Sequence, residues 1–230
     1  MTIPTSALND PRWTKLPNKR QNGLLEEHRY SEVHAAWWDS TYDWFKEKCN
    51  EQGIVVDEVY FSGFYSQGDG ACFEGWVHSW ATLLPLIKRE AWLTTALDES
   101  WRLSIRTSQR YSHSGTMSTS FTAELAENPY DEEEELLQHS AWGIANPLTQ
   151  ADLDALEEDI LRHCRDLADE AYRALEEEYD HLTSDETVVG WILDNLDDDE
   201  LRDPDEEYDC GEQEDSGDEQ VDHSRQLELF

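Results

Sequence analysis

The sequence predicts an α+β fold: a small antiparallel sheet of about four strands with packed helices, then an acidic helical region and a disordered acidic tail. Three observations carry this. Runs rich in β-branched and aromatic residues come in pairs, split by glycine-marked turns at residues 66–70 and 113–115. An apolar stripe at three-to-four spacing, typical of one helical face, runs from Leu153 to Tyr179. Aromatic residues lie mostly between Trp13 and Trp142, whereas Asp and Glu dominate after Tyr130 and apolar residues nearly vanish after Asp197.

Residues 1–29 are polar and contain Pro4, Pro11 and Pro17, which reads as an irregular N-terminal arm. Ser31 suits the N-cap of a helix reaching Gln52, with Val33, Trp37, Tyr42 or Trp38, Trp44, Phe45 and Cys49 on a buried face and Gly53 ending it. Residues 54–65 read as a strand, the loop Ser66-Gln67-Gly68-Asp69-Gly70 as a turn, and residues 71–78 as the returning strand. Residues 81–97 carry a helical pattern through Leu84, Ile87, Ala91 and Leu97. Residues 101–111 alternate, Trp101, Leu103 and Ile105 on one face and Arg102, Ser104 and Arg106 on the other, and residues 116–125 return after the turn at His113-Ser114-Gly115. The stripe Leu153, Leu156, Ile160, Leu167, Ala171, Leu175 and Tyr179 makes a long amphipathic helix, with Thr149 and Asp152 as a capping box and Ser184 capping a last helix through Val188, Val189, Ile192 and Leu196. The expected divisions are an arm at 1–29, an aromatic-rich body at 30–148, acidic helices at 149–196, a disordered tail at 197–225 and a terminal peptide at 226–230.

Fifty-three acidic residues stand against 17 basic ones in 230, a formal charge of −36. Phosphate would be repelled, so direct nucleic-acid binding is excluded and basic protein partners are favoured. The longest apolar run, residues 81–87, contains Pro85 and falls far short of a membrane span, and residues 1–20 lack the apolar core of a secretory signal. Cys49, Cys72, Cys164 and Cys210 are widely spaced, with no metal-clip spacing, which fits free thiols in a reducing cytoplasm. No catalytic motif, metal site or cofactor is expected.

Residues 226–230 read Gln226-Leu227-Glu228-Leu229-Phe230. Two leucines and a phenylalanine after a polar, acidic stretch have no local core to join, so a partner is expected to receive them. QLELF resembles the pentapeptide by which replication and repair proteins dock on the bacterial DNA sliding clamp, commonly Gln-Leu-Ser/Asp-Leu-Phe; Glu228 at the variable third position is a mild departure. The resemblance implies that Gln226 hydrogen-bonds at one subsite, Leu227 sits at the surface between subsites, and Leu229 with Phe230 fills an apolar pocket. A flexible link of about 29 residues would span roughly 30 Å, enough to reach around a ring-shaped partner.

The segment Ser62-Gly63-Phe64-Tyr65-Ser66-Gln67-Gly68-Asp69-Gly70-Ala71-Cys72-Phe73-Glu74-Gly75 resembles uncharacterised bacteriophage and prophage proteins, which implies a mobile-element origin but no chemistry. Its candidate loop residues are Ser62, Gly63, Gln67, Gly68, Asp69 and Gly70. Cys72, Glu74 and His78 share strand parity, so with Asp69 they form a candidate cluster, although no nucleophile–base motif is present. A structural turn is the simpler role. His163 and His181 sit among acids expected to raise their pKa.

Together these features predict a phage-type acidic protein of the bacterial host cytoplasm. It would bind the sliding clamp through residues 226–230, without enzymatic activity, and modulate or inhibit clamp-dependent replication and repair. One alternative is a DNA mimic that blocks a basic host defence or nucleoid protein. The other is a clamp-recruited enzyme with its site around residues 69–78.

Overall fold

The computed structural model describes residues 6–34, 36–94, 101–108, 111–123 and 150–202. The fold is α+β: strands β1 (Ile54–Ser62), β2 (Gly70–Val77), β3 (Trp101–Arg106) and β4 (Ser118–Ala123) form an antiparallel sheet in chain order. The described helices are α1 (Pro11–Thr14), α2 (Asn18–His28), α3 (Asp39–Glu51), α4 (Trp80–Leu86), α5 (Gln150–Leu182), α6 (Asp185–Asn195) and α7 (Asp198–Leu201). The expected cap at Thr149, the tail beyond residue 202 and the peptide Gln226, Leu227, Glu228, Leu229 and Phe230 lie outside the described residues.

Simple alternation along β1 would bury Val56 and Glu58 on one face. The β1–β2 register instead shifts between Val56 and Glu58, with Asp57 as the additional, exposed residue. Such a bulge reverses the parity of every later side chain. Ile54 and Val56 before it and Val59 after it are therefore all buried, opposite Val77, Gly75 and Phe73. Gly75 is required there, because a Cβ would run into the Val55 carbonyl. This inner face, extended by Leu103 and Ile105, packs on Phe45 and Cys49 of α3 and on Leu156, Ile160, Cys164 and Leu167 of α5. α5 is 33 residues long, and its apolar stripe is buried from Leu153 to Leu175 as the spacing predicts, with Tyr179 half-buried.

Several expectations are corrected. The helix expected from Ser31 begins at Asp39: Ala36 holds a φ of 68°, and Trp37 and Trp38 fold over Phe61, at 5.9 and 5.6 Å between ring centroids, instead of extending the helix. Trp44, expected on the buried face, is 42% exposed. Gly53 ends α3 with a φ of 85°, and a Cβ would come within 2.5 Å of the Ser79 carbonyl oxygen. The helical pattern of residues 81–97 breaks after Leu86: Lys88 turns at a φ of 61°, and the Arg89 guanidinium meets Asp159 of α5 at 2.7 Å. β3 ends earlier than expected, at Arg106, and β4 begins later, at Ser118.

The N-terminal region is not an irregular arm. Pro17 and Pro11 stand at or just before the first turns of α2 and α1, where a missing N–H costs nothing. Trp13 and Leu24 are buried in a second apolar cluster with Val188, Val189, Ile192 and Leu193 of α6 and Leu201 of α7. Three arginines from this region donate to the C-terminal carbonyls of three successive helices: Arg29 to Thr183 at 2.9 Å, Arg12 to Leu193 at 3.0 Å, and Arg20 to Leu201 at 3.2 Å. A cation at a helix C-terminus satisfies orphan carbonyls and complements the dipole. Ser184 caps α6 as expected, its hydroxyl accepting from the Thr187 N–H. The tail expected from residue 197 is corrected at its start, since Asp197 and Glu200 form a capping box for α7 and Leu201 is buried.

Candidate functional site

The Gly-rich loop joins β1 to β2, and its glycines are placed by geometry. Gly63 and Gly68 hold φ values of 35° and 100°, a region that side-chain-bearing residues rarely adopt. Asp69 folds back over the loop. Its Oδ2 accepts from the Tyr65 N–H at 2.9 Å and the Ser66 N–H at 2.6 Å, while the Ser66 carbonyl accepts from the Asp69 N–H at 3.0 Å. Ser62 Oγ donates to the Ser112 carbonyl at 3.3 Å, and Gly70 lies against His113, 3.3 Å from where a Cβ would stand. Gln67 is exposed. Asp69 therefore closes a turn by the side-chain capping typical of aspartate.

An aromatic wall holds the loop to α5. Phe64 packs on Trp37, Phe61, Tyr172 and Tyr179, with centroids 5.2–6.3 Å apart. The Tyr172 hydroxyl donates to the Gly63 carbonyl at 3.1 Å. Burial first, then the neighbouring Tyr65 and Tyr30 phenols, push the Tyr179 phenol up from its ordinary pKa. Burial first, then the Asp69 and Glu176 charges, push the Tyr172 phenol up from its ordinary pKa. Sequence reasoning missed Tyr172. Its seven-residue spacing from Tyr179 on one face of a helix was the available signal.

The candidate cluster separates. Cys72 and Glu74 are neighbours on the sheet face opposite Phe73. Burial pushes the Cys72 thiol pKa up, against hydrogen bonds from the His113 backbone and the Thr116 and Thr107 side chains. Glu74 Oε1 accepts from the Thr107 hydroxyl at 3.1 Å and the Thr107 N–H at 3.3 Å. His78 lies past the end of β2, with Nε2 3.2 Å from the Asn50 carbonyl oxygen of α3. Asp69, at the opposite end of the strand, is engaged in its own turn. The structure thus brings Cys72 and Glu74 together and leaves His78 and Asp69 apart from them, each tied to a local structural contact.

His163 departs from expectation. Its Nε2 is 2.8 Å from Gln52 Oε1, and burial drives its pKa down, with Asp166 opposing. Burial pushes the Cys49 thiol up to about 12 and raises that of Cys164 beside it; both are reduced and buried. Among the described residues no group of three or more His, Cys, Asp or Glu is arranged to hold a metal ion, and no helix is long and apolar enough to cross a membrane.

Residues 37–185, more than half of the chain, match the model of a family described as a domain of unknown function, DUF8835. No curated protein and no solved structure matches. The matched range holds the sheet, α3, α4 and α5 with their common core; α1, α2 and nearly all of α6 and α7 fall outside it. The chain belongs to the DUF8835 family.

Proposed function

We propose that this protein binds the bacterial DNA sliding clamp through Gln226, Leu227, Glu228, Leu229 and Phe230 and acts by occupancy, without catalysis. The observation that carries this is the pentapeptide itself, which resembles the clamp-docking consensus at each position except the variable third. Leu229 and Phe230 are the anchors; their burial is worth roughly 3–6 kcal/mol before the cost of ordering the segment. Gln226 supplies the polar contact that fixes register.

The distribution of apolar residues supports this reading. The described body buries its apolar side chains in two clusters of its own, the second ending at Leu201. Asp and Glu recur through residues 203–222, and apolar residues gather again only at 227–230. The family match ends at residue 185, so the peptide lies outside the matched range. In a phage-infected bacterial cytoplasm such a chain competes with polymerase, ligase and repair clients for one pocket, and its charge of −36 keeps it off DNA itself.

The test is retention on immobilised clamp. The full chain is retained, and Leu229→Ala combined with Phe230→Ala lowers affinity at least about 100-fold, as expected for loss of two hot-spot anchors. Glu228→Ala stays within about threefold. Retention of the double variant at full affinity contradicts the proposal.

A further inference from the structure

A second surface, independent of residues 226–230, lies on the family body itself. α3 and α5 run antiparallel: Gln52 meets His163, Lys48 pairs with Glu170, and Trp37 packs on Tyr179 at 5.7 Å. Between them opens a groove of about 510 Å³, lined by Ser40, Thr41 and Trp44 of α3 and by Glu170, Arg173 and Glu177 of α5. Its floor is the exposed indole of Trp44, although the next residue, Phe45, is 1% exposed.

One end of the groove already shows what it holds. The Lys48 ammonium lies 5.1 Å from the centre of the Trp44 ring and pairs with the Glu170 carboxylate. An aromatic face beside a carboxylate is an ammonium seat, combining cation–π attraction with an ion pair. Toward the other end the antiparallel packing repeats the carboxylate without the lysine. Glu177 stands two turns after Glu170 and forms no ion pair among the described residues. α3 presents only the short hydroxyl side chains of Ser40 and Thr41 on that side of Trp44. Arg173, midway, directs its Nε to the Asp169 carbonyl at 3.2 Å.

The geometry points to this groove as the seat for a lysine side chain from a basic segment of a partner protein, its ammonium on Glu177 and its stem across Trp44. Charge complementarity selects the occupant. Exposed carboxylates continue along both helices at Asp39, Asp43, Glu176 and Asp180, within a chain of net charge −36, so a basic segment is drawn in and an acidic one repelled.

The test uses the full chain, with the Trp44 indole N–H resonance identified through Trp44→Phe. Hexalysine amide titrated at physiological salt moves that resonance. Glu177→Gln weakens the titration about three- to fivefold, while Glu158→Gln, an equal change of charge nearer the start of α5, leaves it unchanged. An unmoved Trp44 resonance, or equal weakening by both variants, overturns the assignment and shows attraction to net charge alone. The result is the same with residues 226–230 deleted, so failure here leaves the clamp proposal standing, and the converse.

Discussion

Asp69 shows how a single carboxylate closes a turn that the glycines around it mark in the sequence. Flanked by glycines, it reads first as a turn residue, with a nearby cysteine, glutamate and histidine only as an alternative cluster; in space its carboxylate accepts from the Tyr65 and Ser66 amides and closes that turn. Asp69→Ala is expected to cost about 1 kcal/mol in urea unfolding, the net worth of such exposed bonds. Amide exchange at Tyr65 and Ser66 should accelerate about fivefold, and unchanged exchange would contradict the latch. Buried acidic hydrogens set the behaviour in alkali. The Cys49 thiol rises from an ordinary 9.0 to about 12 and the Tyr42 phenol from 10.0 to about 12, both chiefly through burial. Raised pKa values stabilise the fold below the unfolded-state values, and that contribution disappears as pH climbs from 9 toward 12. Chemical-denaturation stability should fall by about 2 kcal/mol between pH 9 and 11, and Cys49→Ala should flatten the slope. His163 works in the opposite direction: its depressed pKa contributes stability above pH 6.5 that is lost as pH falls below it.

At the scale of elements, legibility followed local pattern. The pairing of β1 with β2, the pairing of β3 with β4 and the stripe of α5 are periodic signals, and each appears in the fold. What escaped was decided by long-range contact. No local rule distinguishes Asp57 as a bulge; only its effect on which valines meet the core does. Trp37 and Trp38 have helical spacing, yet Phe61 and Phe64 draw them out of the helix. Residues 1–29 read as irregular because their apolar residues are few, and Trp13 and Leu24 find a core only in α6 and α7, far along the chain. This pairing implies that the terminal helices form one cooperative unit. Trp13→Ala should destabilise that unit by about 3–5 kcal/mol. Hydrogen exchange should show α6 and α7 deprotected together with α2 while β1 and β2 keep their protection; loss of protection throughout would contradict a separate unit.

For the whole molecule, a family body of sheet, α3 and α5 is flanked by a helical unit that joins residues before and after it. Arg202 is the last described residue of that unit, and beyond it Asp and Glu recur in the sequence through residue 222. Of the candidate site residues, the loop was legible because glycine and aspartate signal turns directly. The α3–α5 groove was not, because Trp44 looks like core until the packing shows it exposed. The measurement that bears most directly on the account is calorimetric titration of the full chain against a bacterial sliding clamp, with and without residues 226–230. Micromolar or tighter binding that vanishes on truncation is the predicted result. Absence of binding by the full chain, or equal binding by the truncated one, would contradict it.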